Sequence, residues 1–287
     1  MSMVATSVDN PGDVVYPDCD GAPMADNPTQ GRAIRYLVHG FERLFHGRPD
    51  VFVGGDFFWY PVEGQPTIVQ APDVTVIAGL PGPIADRDMP SYRQWVYGGY
   101  VLLAVEVLSP SNTWRDMARR LAFYDRYGVH EYWVFDPYEG VLQVYARQGD
   151  RLALVGGEEP VVCPVTGVTA TVVEGRIHVT EPDGRVWLTP LEESLRLEAA
   201  TQRADAAAER AFLLAHDLRD LGLCVEVDHV GRSVKAQLKY ADKIDAKYVI
   251  VLGDNELEKA EAMLKRMSDG GQTPVALEAE AIRKNIQ

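Results

Sequence analysis

Two acidic residues stand where acids are seldom placed. The stretch Val101 to Asn112 (VLLAVEVLSPSN) opens as an apolar, β-branched run, which predicts a strand buried on both faces. Its one charge is Glu106, and the Ser109-Pro110-Ser111-Asn112 turn ends it. Upstream, QAPDVTVIA sets Asp73 at the entry of a strand Val74–Ala78, just behind Pro72. An unpaired carboxylate in a core costs several kcal/mol or more (~), so each acid needs a partner. Two strand-borne acids suit a divalent cation, because Mg²⁺ favours carboxylate and water oxygens and usually takes one or two protein carboxylates. They suit equally a strand cap at Asp73 and an arginine ion pair at Glu106. The residues alone leave both readings open.

The elements that would position these acids follow from periodicity. Ile34, Leu37, Val38, Phe41 and Leu44 recur at helical spacing and predict a first helix over Gly31–Phe45. Val51–Val53, Phe57–Tyr60 and Pro66–Val69 read as short strand segments before the Asp73 strand. Residues 79–99 read as a surface excursion in which Tyr92, Trp95 and Tyr97 anchor the loop rather than line a cleft. Thr113–Tyr127 is a helix stopped by Gly128. Val129–Asp136 is another buried strand, paired with Gly140–Arg147 across a Pro137–Gly140 turn. Arg151–Val155 and Val168–Val172 continue the strands, and Gly175–Val179 with Arg185–Leu188 predict a terminal hairpin around Pro182-Asp183-Gly184.

The segments GGDFFWYPVEG, PDVTVI, VEVLSPSN and DMARRLAFYDRYGVHEYWVFDP resemble, in order and over about residues 31–191, the Uma-type restriction endonuclease family of the PD-(D/E)XK nuclease superfamily. The resemblance implies an α/β fold, a restriction-endonuclease-like mixed sheet with flanking helices. It implies phosphodiester hydrolysis with Mg²⁺ (or Mn²⁺) held by Asp73 and Glu106, with the Val107 carbonyl as a further ligand. The superfamily's lysine is missing: Leu108 stands two positions after Glu106. In the Uma-type family that lysine lies on the following helix in a D-x-x-x-K-x-x-x-Y pattern, which maps onto Asp116, Arg120 and Tyr124. Arginine thus replaces lysine, and unlike lysine it cannot serve as a base. It can still stabilise a transition state.

Charge divides the chain. The 287 residues carry a formal net charge of −14 and exceed a one-domain prior of ~150 residues. All seven lysines lie from Lys235 onward, where nine basic and nine acidic residues cancel, so the net charge belongs to residues 1–234, whose cations are all arginine. That break predicts a seam between modules. It also argues against nucleic-acid binding by the bulk surface, so such contact needs a local patch or bound metal. Cys19, Cys163 and Cys224 are too few and too scattered for a disulfide framework or a zinc site, which fits a cytoplasmic setting. Residues 1–20 have neither signal nor transit character, and no apolar run is long enough to span a bilayer.

Thr189-Pro190-Leu191-Glu192 predicts a capped helix start, followed by one alanine-rich helix over Leu191–Leu221. It could pair two copies as a coiled coil, although its apolar residues keep no clean heptad. Beyond it, LRDLGLCVEVDHVGRSVKAQLKYADKIDAKYVIVLGDNELEKAEAMLKRMSDGGQ is similar to the anticodon-binding domain of histidyl-tRNA synthetase. That implies strands at Cys224–Asp228, Lys247–Leu252 and Glu261–Met267, and helices at Arg232–Ile244 and Glu256–Lys259. The family's opening strand is absent, as is any synthetase catalytic core, so aminoacylation is not expected. Lys235, Lys239 and Lys243 share one helix face, which suits either RNA or plain solvation.

The expected organisation is a flexible arm (1–29), a nuclease-like domain (30–190), a linking helix (191–217) and a partial anticodon-binding-like α/β module (218–287). The expected function is metal-dependent cleavage of DNA by Asp73, Glu106 and Arg120. The alternatives are an inactive nuclease fold kept for binding or scaffolding, and an RNA-binding factor acting through the C-terminal module. A homodimer through the linking helix is a further expectation.

Overall fold

The computed structural model describes residues 14–18, 27–85, 89–155, 160–228 and 233–286. Cys19, Arg232 and most of the expected arm fall outside them. The chain divides into two compact units, residues 1–190 and 191–287.

In the first unit, helix α1 (Pro28–Leu44) starts earlier than its apolar spacing indicates. Asn27 caps it, its side chain accepting from the Thr29 and Gln30 amides, and Pro28 fills the first turn. Strands β1 (Val51–Gly54), β2 (Trp59–Tyr60), β3 (Val74–Ala78), β4 (Tyr92–Arg93) and β5 (Tyr100–Val107) follow, with a one-turn helix α2 (Gln94–Tyr97) between β4 and β5. Residues 66–69 form turns rather than a strand. Tyr92 is fully buried and its hydroxyl donates to the Gly98 carbonyl, which makes it a loop anchor. Helix α3 (Trp114–Arg126) carries the chain to β6 (Glu131–Asp136), β7 (Val141–Gln148) and β8 (Arg151–Leu154).

These strands form a six-stranded mixed sheet in the order β1-β3-β5-β6-β7-β8. β5 and β6 are parallel, joined across α3, and the other neighbours are antiparallel. Alternation along β5 sets its two faces. Leu103, Val105 and Val107 pack with Ile34, Leu37 and Phe41 of α1. Ala104 and Leu108 pack with Met117 and Tyr124 of α3. Glu106 lies between those last two in the alternation, so it faces the α3 layer.

A three-stranded sheet, β9 (Val161–Val162), β10 (Thr169–Val173) and β11 (Arg176–Thr180), closes the α1 side. The hairpin here is β10–β11, turning at Glu174-Gly175 with both residues at positive φ. The expected 185–188 arm also returns antiparallel to the end of β11, through the Thr180–Val186 bridge with the Glu181 amide donating to the Arg185 carbonyl and the Trp187 amide to the Val179 carbonyl. Trp187 beyond it packs so closely on α1 that a Cβ at Gly40 would meet its ring at 2.0 Å.

In the second unit, α4 (Pro190–Asp220) buries Leu214 and Leu218 against strands β12 (Tyr248–Ile250), β13 (Glu261–Arg266) and β14 (Gln272–Ala276). Helices α5 (Val234–Lys243), α6 (Asp254–Lys259) and α7 (Ala279–Ile286) complete it. The family-derived strand at β13 is present. Cys224–Asp228, by contrast, is irregular. The three-stranded sheet ends at β12, and this stretch pairs with neither edge of it.

Candidate active site

Asp73 and Glu106 meet on the sheet face that looks onto α3. Val74 pairs with Val105 in the antiparallel β3–β5 ladder, so continuing that register sets Asp73 opposite Glu106. The Asp73 carboxylate accepts from the Val107 amide at 2.7 Å. Glu106 is 1% exposed, and both its oxygens are taken. Oε2 accepts from Arg120 Nη1, and Oε1 accepts from the Tyr124 hydroxyl at 2.5 Å. Arg120 and Tyr124 are four residues apart and reach the acid from successive turns of α3.

Asp116, the third residue of that helical pattern, belongs elsewhere. Its side chain accepts from the Thr113 amide while its own amide donates to Thr113 Oγ1, which closes a capping box at the start of α3. The Val107 carbonyl, expected as a metal ligand, accepts from Gln30 Nε2 at 2.9 Å. Gln30 is a residue sequence reasoning passed over. It sits in the first turn of α1, 77 positions from Val107, and its polar side chain within an apolar helix face is the one signal that could have marked it.

Burial dominates the electrostatics. Asp73 is pushed up to about 6, and the Val107 amide and Arg120 oppose the shift while Asp56 adds to it. Glu106 is pushed up to about 8, opposed by Arg120 and Tyr124. Below about pH 4 both carboxyls are protonated in the folded and unfolded chains alike. Above that the unfolded chain releases protons that the fold retains until about 6 and about 8, so stability falls with pH across this window. Arg120→Ala removes the cation that opposes the shift at Glu106 and widens the window. The variant should lose roughly 3 kcal/mol relative to wild type at pH 8.5, the low end for a broken buried pair because Arg120 is part-exposed, and less at pH 5. Melting curves at the two pH values check this; a gap that is constant or larger at pH 5 counts against it.

Carboxylate oxygens are the donors a hard divalent cation takes, but here Arg120 and Tyr124 hold both oxygens of Glu106, and Gln30 holds the Val107 carbonyl. Two carboxylates stand at opposed strand positions on one face, and the buried Thr75 hydroxyl, two residues along β3, has no hydrogen-bond partner among the described residues. Among those residues no group of three or more His, Cys, Asp or Glu gathers as a metal cluster. An open cleft of about 410 Å³ lies past the ends of β5 and β6, lined by Leu108, Ser109, Asn112, Thr113, Asp136 and Tyr138.

Comparison with known proteins divides the chain in the same way. A family model described as "Putative restriction endonuclease" matches residues 13–173, and one described as "Anticodon binding domain" matches residues 186–284. Histidine–tRNA ligase of Clostridium novyi is 55% identical over 100 residues, which cover 32% of this chain and 24% of that protein. The Clostridium perfringens enzyme is 51% identical over 78 residues, covering 27% and 19%. The chain therefore spans about a fifth to a quarter of the length of these relatives. A solved structure of a putative nuclease belonging to DUF820 from Anabaena variabilis is 14% identical, covers 52% of this chain and 80% of that one, and superposes with a TM-score of 0.37. Histidyl-tRNA synthetase from Nostoc is 27% identical over 29% of this chain and 20% of that one, with a TM-score of 0.27. No described helix is long and apolar enough to cross a membrane.

Proposed function

This chain belongs to the Uma2 family of restriction-endonuclease-like proteins, and from that premise we propose that it hydrolyses DNA phosphodiesters using Mg²⁺ or Mn²⁺ held by Asp73 and Glu106, with Arg120 in the role of the missing lysine. The observation that carries the proposal is the convergence of Asp73, Glu106 and Arg120 on one face of the sheet, from three separate elements. A divalent cation bound there supplies charge neutralisation at phosphate and lowers the pKa of the attacking water. The chain's own part is positional. Asp73 is held by the Val107 amide, Gln30 ties α1 to the same strand end, and Tyr124 orients the Glu106 carboxylate. The Arg120 guanidinium has five donors, so it can keep one on Glu106 and offer others to a phosphate oxygen. It cannot take a proton from water, so activation of the nucleophile does not fall to Arg120. Isothermal titration with Mn²⁺ tests the metal directly: wild type should bind, and Asp73→Asn should bind at least tenfold more weakly. Equal affinity in the two would remove the site.

The ion pair itself favours a second reading. If Arg120 is the permanent counterion of Glu106, the domain is a nuclease fold that binds without cutting, and wild type takes up no metal. For residues 191–287 the reading we propose is RNA binding through the lysine-bearing face of α5, in keeping with the anticodon-binding-domain match.

The proposed boundary near residue 190 has its own consequence. A fragment of residues 1–190 contains both hydrophobic layers of the large sheet and should unfold in one cooperative transition, with a midpoint within a few degrees of that of the same unit in the full chain. A non-cooperative melt of the fragment would mean that the seam is misplaced.

A further inference from the structure

The outward face of α3 stands apart from the rest of its unit. Its exposed residues are Arg115, Ala118, Arg119, Ala122 and Arg126. At 100° per residue these five fall within one narrow stripe, roughly 100° wide, on the side opposite the buried Met117 and Tyr124. No exposed acid interrupts the stripe, in a stretch (residues 1–190) that carries 24 acidic residues against 14 arginines.

Of the two flanking acids, one pairs with an arginine of the stripe and the other is engaged elsewhere. Asp116 closes the helix cap and lies 3.7 Å from Arg119, whose side chain remains 72% exposed. Asp125 accepts from the Leu152 amide at 2.6 Å and lies 3.8 Å from Arg147. From β8, which packs against the helix, the exposed Arg151 adds a further cation, and the adjoining turn adds Asp150.

We propose that this stripe is a docking face for the phosphate backbone of duplex DNA, which it holds along the outward side of α3, the side turned away from Arg120 and Glu106. The inference rests on the phosphodiesterase reading and supplies what that reading lacks, a surface able to hold a polyanion on a molecule of net charge −14. Charge complementarity selects the occupant. Three guanidiniums lie in a row on a rigid helix, separated by about 6 Å and about 10 Å along its axis at 1.5 Å per residue. A duplex carries a charge every 3.4 Å per strand, so each arginine meets a different phosphate (~three in all). Ala118 and Ala122 between them leave the helix flat enough for a backbone to approach. Guanidinium is the group suited to bidentate phosphate contact.

The test is salt-dependent binding of a fluorescent duplex by the full chain in EDTA, where no cleavage intervenes. Three phosphate contacts contribute a slope of about 2.7 in log K against log salt. The triple variant Arg115→Ala/Arg119→Ala/Arg126→Ala should lose that slope, so that between 50 and 200 mM salt its affinity falls about 40-fold less than wild type's. The triple lysine variant should keep the slope, and so should the charge-matched control Arg48→Ala/Arg176→Ala/Arg185→Ala, made at exposed sites off the helix.

An unchanged slope in the alanine triple, an equal loss in the control, or no duplex binding by wild type at low salt overturns the proposal. So does a loss confined to single-stranded DNA, to RNA or to an acidic polypeptide. Cleavage is scored separately. Slope without cleavage refutes the hydrolysis reading alone, and cleavage with an unchanged slope refutes the docking face alone.

Discussion

Plasmid cleavage in Mg²⁺ or Mn²⁺ should fall by on the order of 10²–10³ in Arg120→Ala and by at least as much in Glu106→Gln. The arginine is placed for this. It approaches Glu106 from α3 beside Tyr124, and Asp73 stands on the neighbouring strand, so removing it takes away the cation nearest both carboxylates. Arg120→Lys is the informative member of the series. Lysine restores the residue type of the family's pattern as a compact point charge that sheds its proton more readily when buried. In an arginine-dependent enzyme Arg120→Lys should lose part of the rate, because the planar fork that meets carboxylate and phosphate together is gone. In a lapsed enzyme wild type is silent and Arg120→Lys gains activity. Cleavage by wild type that survives both Arg120→Ala and Glu106→Gln would place the chemistry elsewhere.

Local spacing made part of this site legible in the sequence, and distance hid the rest. Arg120 and Tyr124 could be paired in advance because residues four apart share a helix face, and Glu106 stood out as a charge in an apolar strand. Asp116 fitted the same spacing, yet it also lies three residues after Thr113, and that local capping geometry claims its side chain. Gln30 had no such signature, since its contact with Val107 depends on how α1 lies across the sheet. Elements behaved alike. β5, β6 and α3 carried patterns strong enough to fix their ends within about two residues. The expected hairpin around Pro182-Asp183-Gly184 is present but short, with residues 179–181 meeting 185–187, whereas the longer pairing, β10 with β11 across Glu174-Gly175, went unread because that turn has no proline or aspartate to mark it. Cys224–Asp228 alternates like a strand but pairs with no edge of the sheet, and a strand's backbone is satisfied only by a partner. The strand β14 and helix α7 went unassigned, because neither has more than a short apolar pattern of its own.

Glu131 shows why one more acid in a core strand does not make one more ligand. It lies on β6, fully buried, so by pattern alone it resembles Glu106. The alternation of β6 turns it the other way, with Trp133 and Phe135, toward the α1 layer and the small sheet. There its carboxylate accepts from Trp133 Nε1 at 2.9 Å, the Val165 amide at 2.8 Å and Thr166 Oγ1 at 2.9 Å, so it fastens the β9–β10 turn to the large sheet. Glu131→Ala leaves these donors without an acceptor and opens a void, at a cost of roughly 3 kcal/mol. For a unit of this size that lowers the melting temperature by about 6–12 °C. Asp73→Asn should do the reverse of this in both respects, weakening Mn²⁺ binding at least tenfold while leaving the melting temperature of the metal-free protein within a few degrees of wild type, because a neutral amide oxygen can still accept from the Val107 amide and escapes the cost of a buried charge. Calorimetric melting and Mn²⁺ titration on both variants separate the two kinds of acid. Loss of metal binding in a still-folded Glu131→Ala, or a large drop in the melting temperature of Asp73→Asn, would reverse the roles assigned to them.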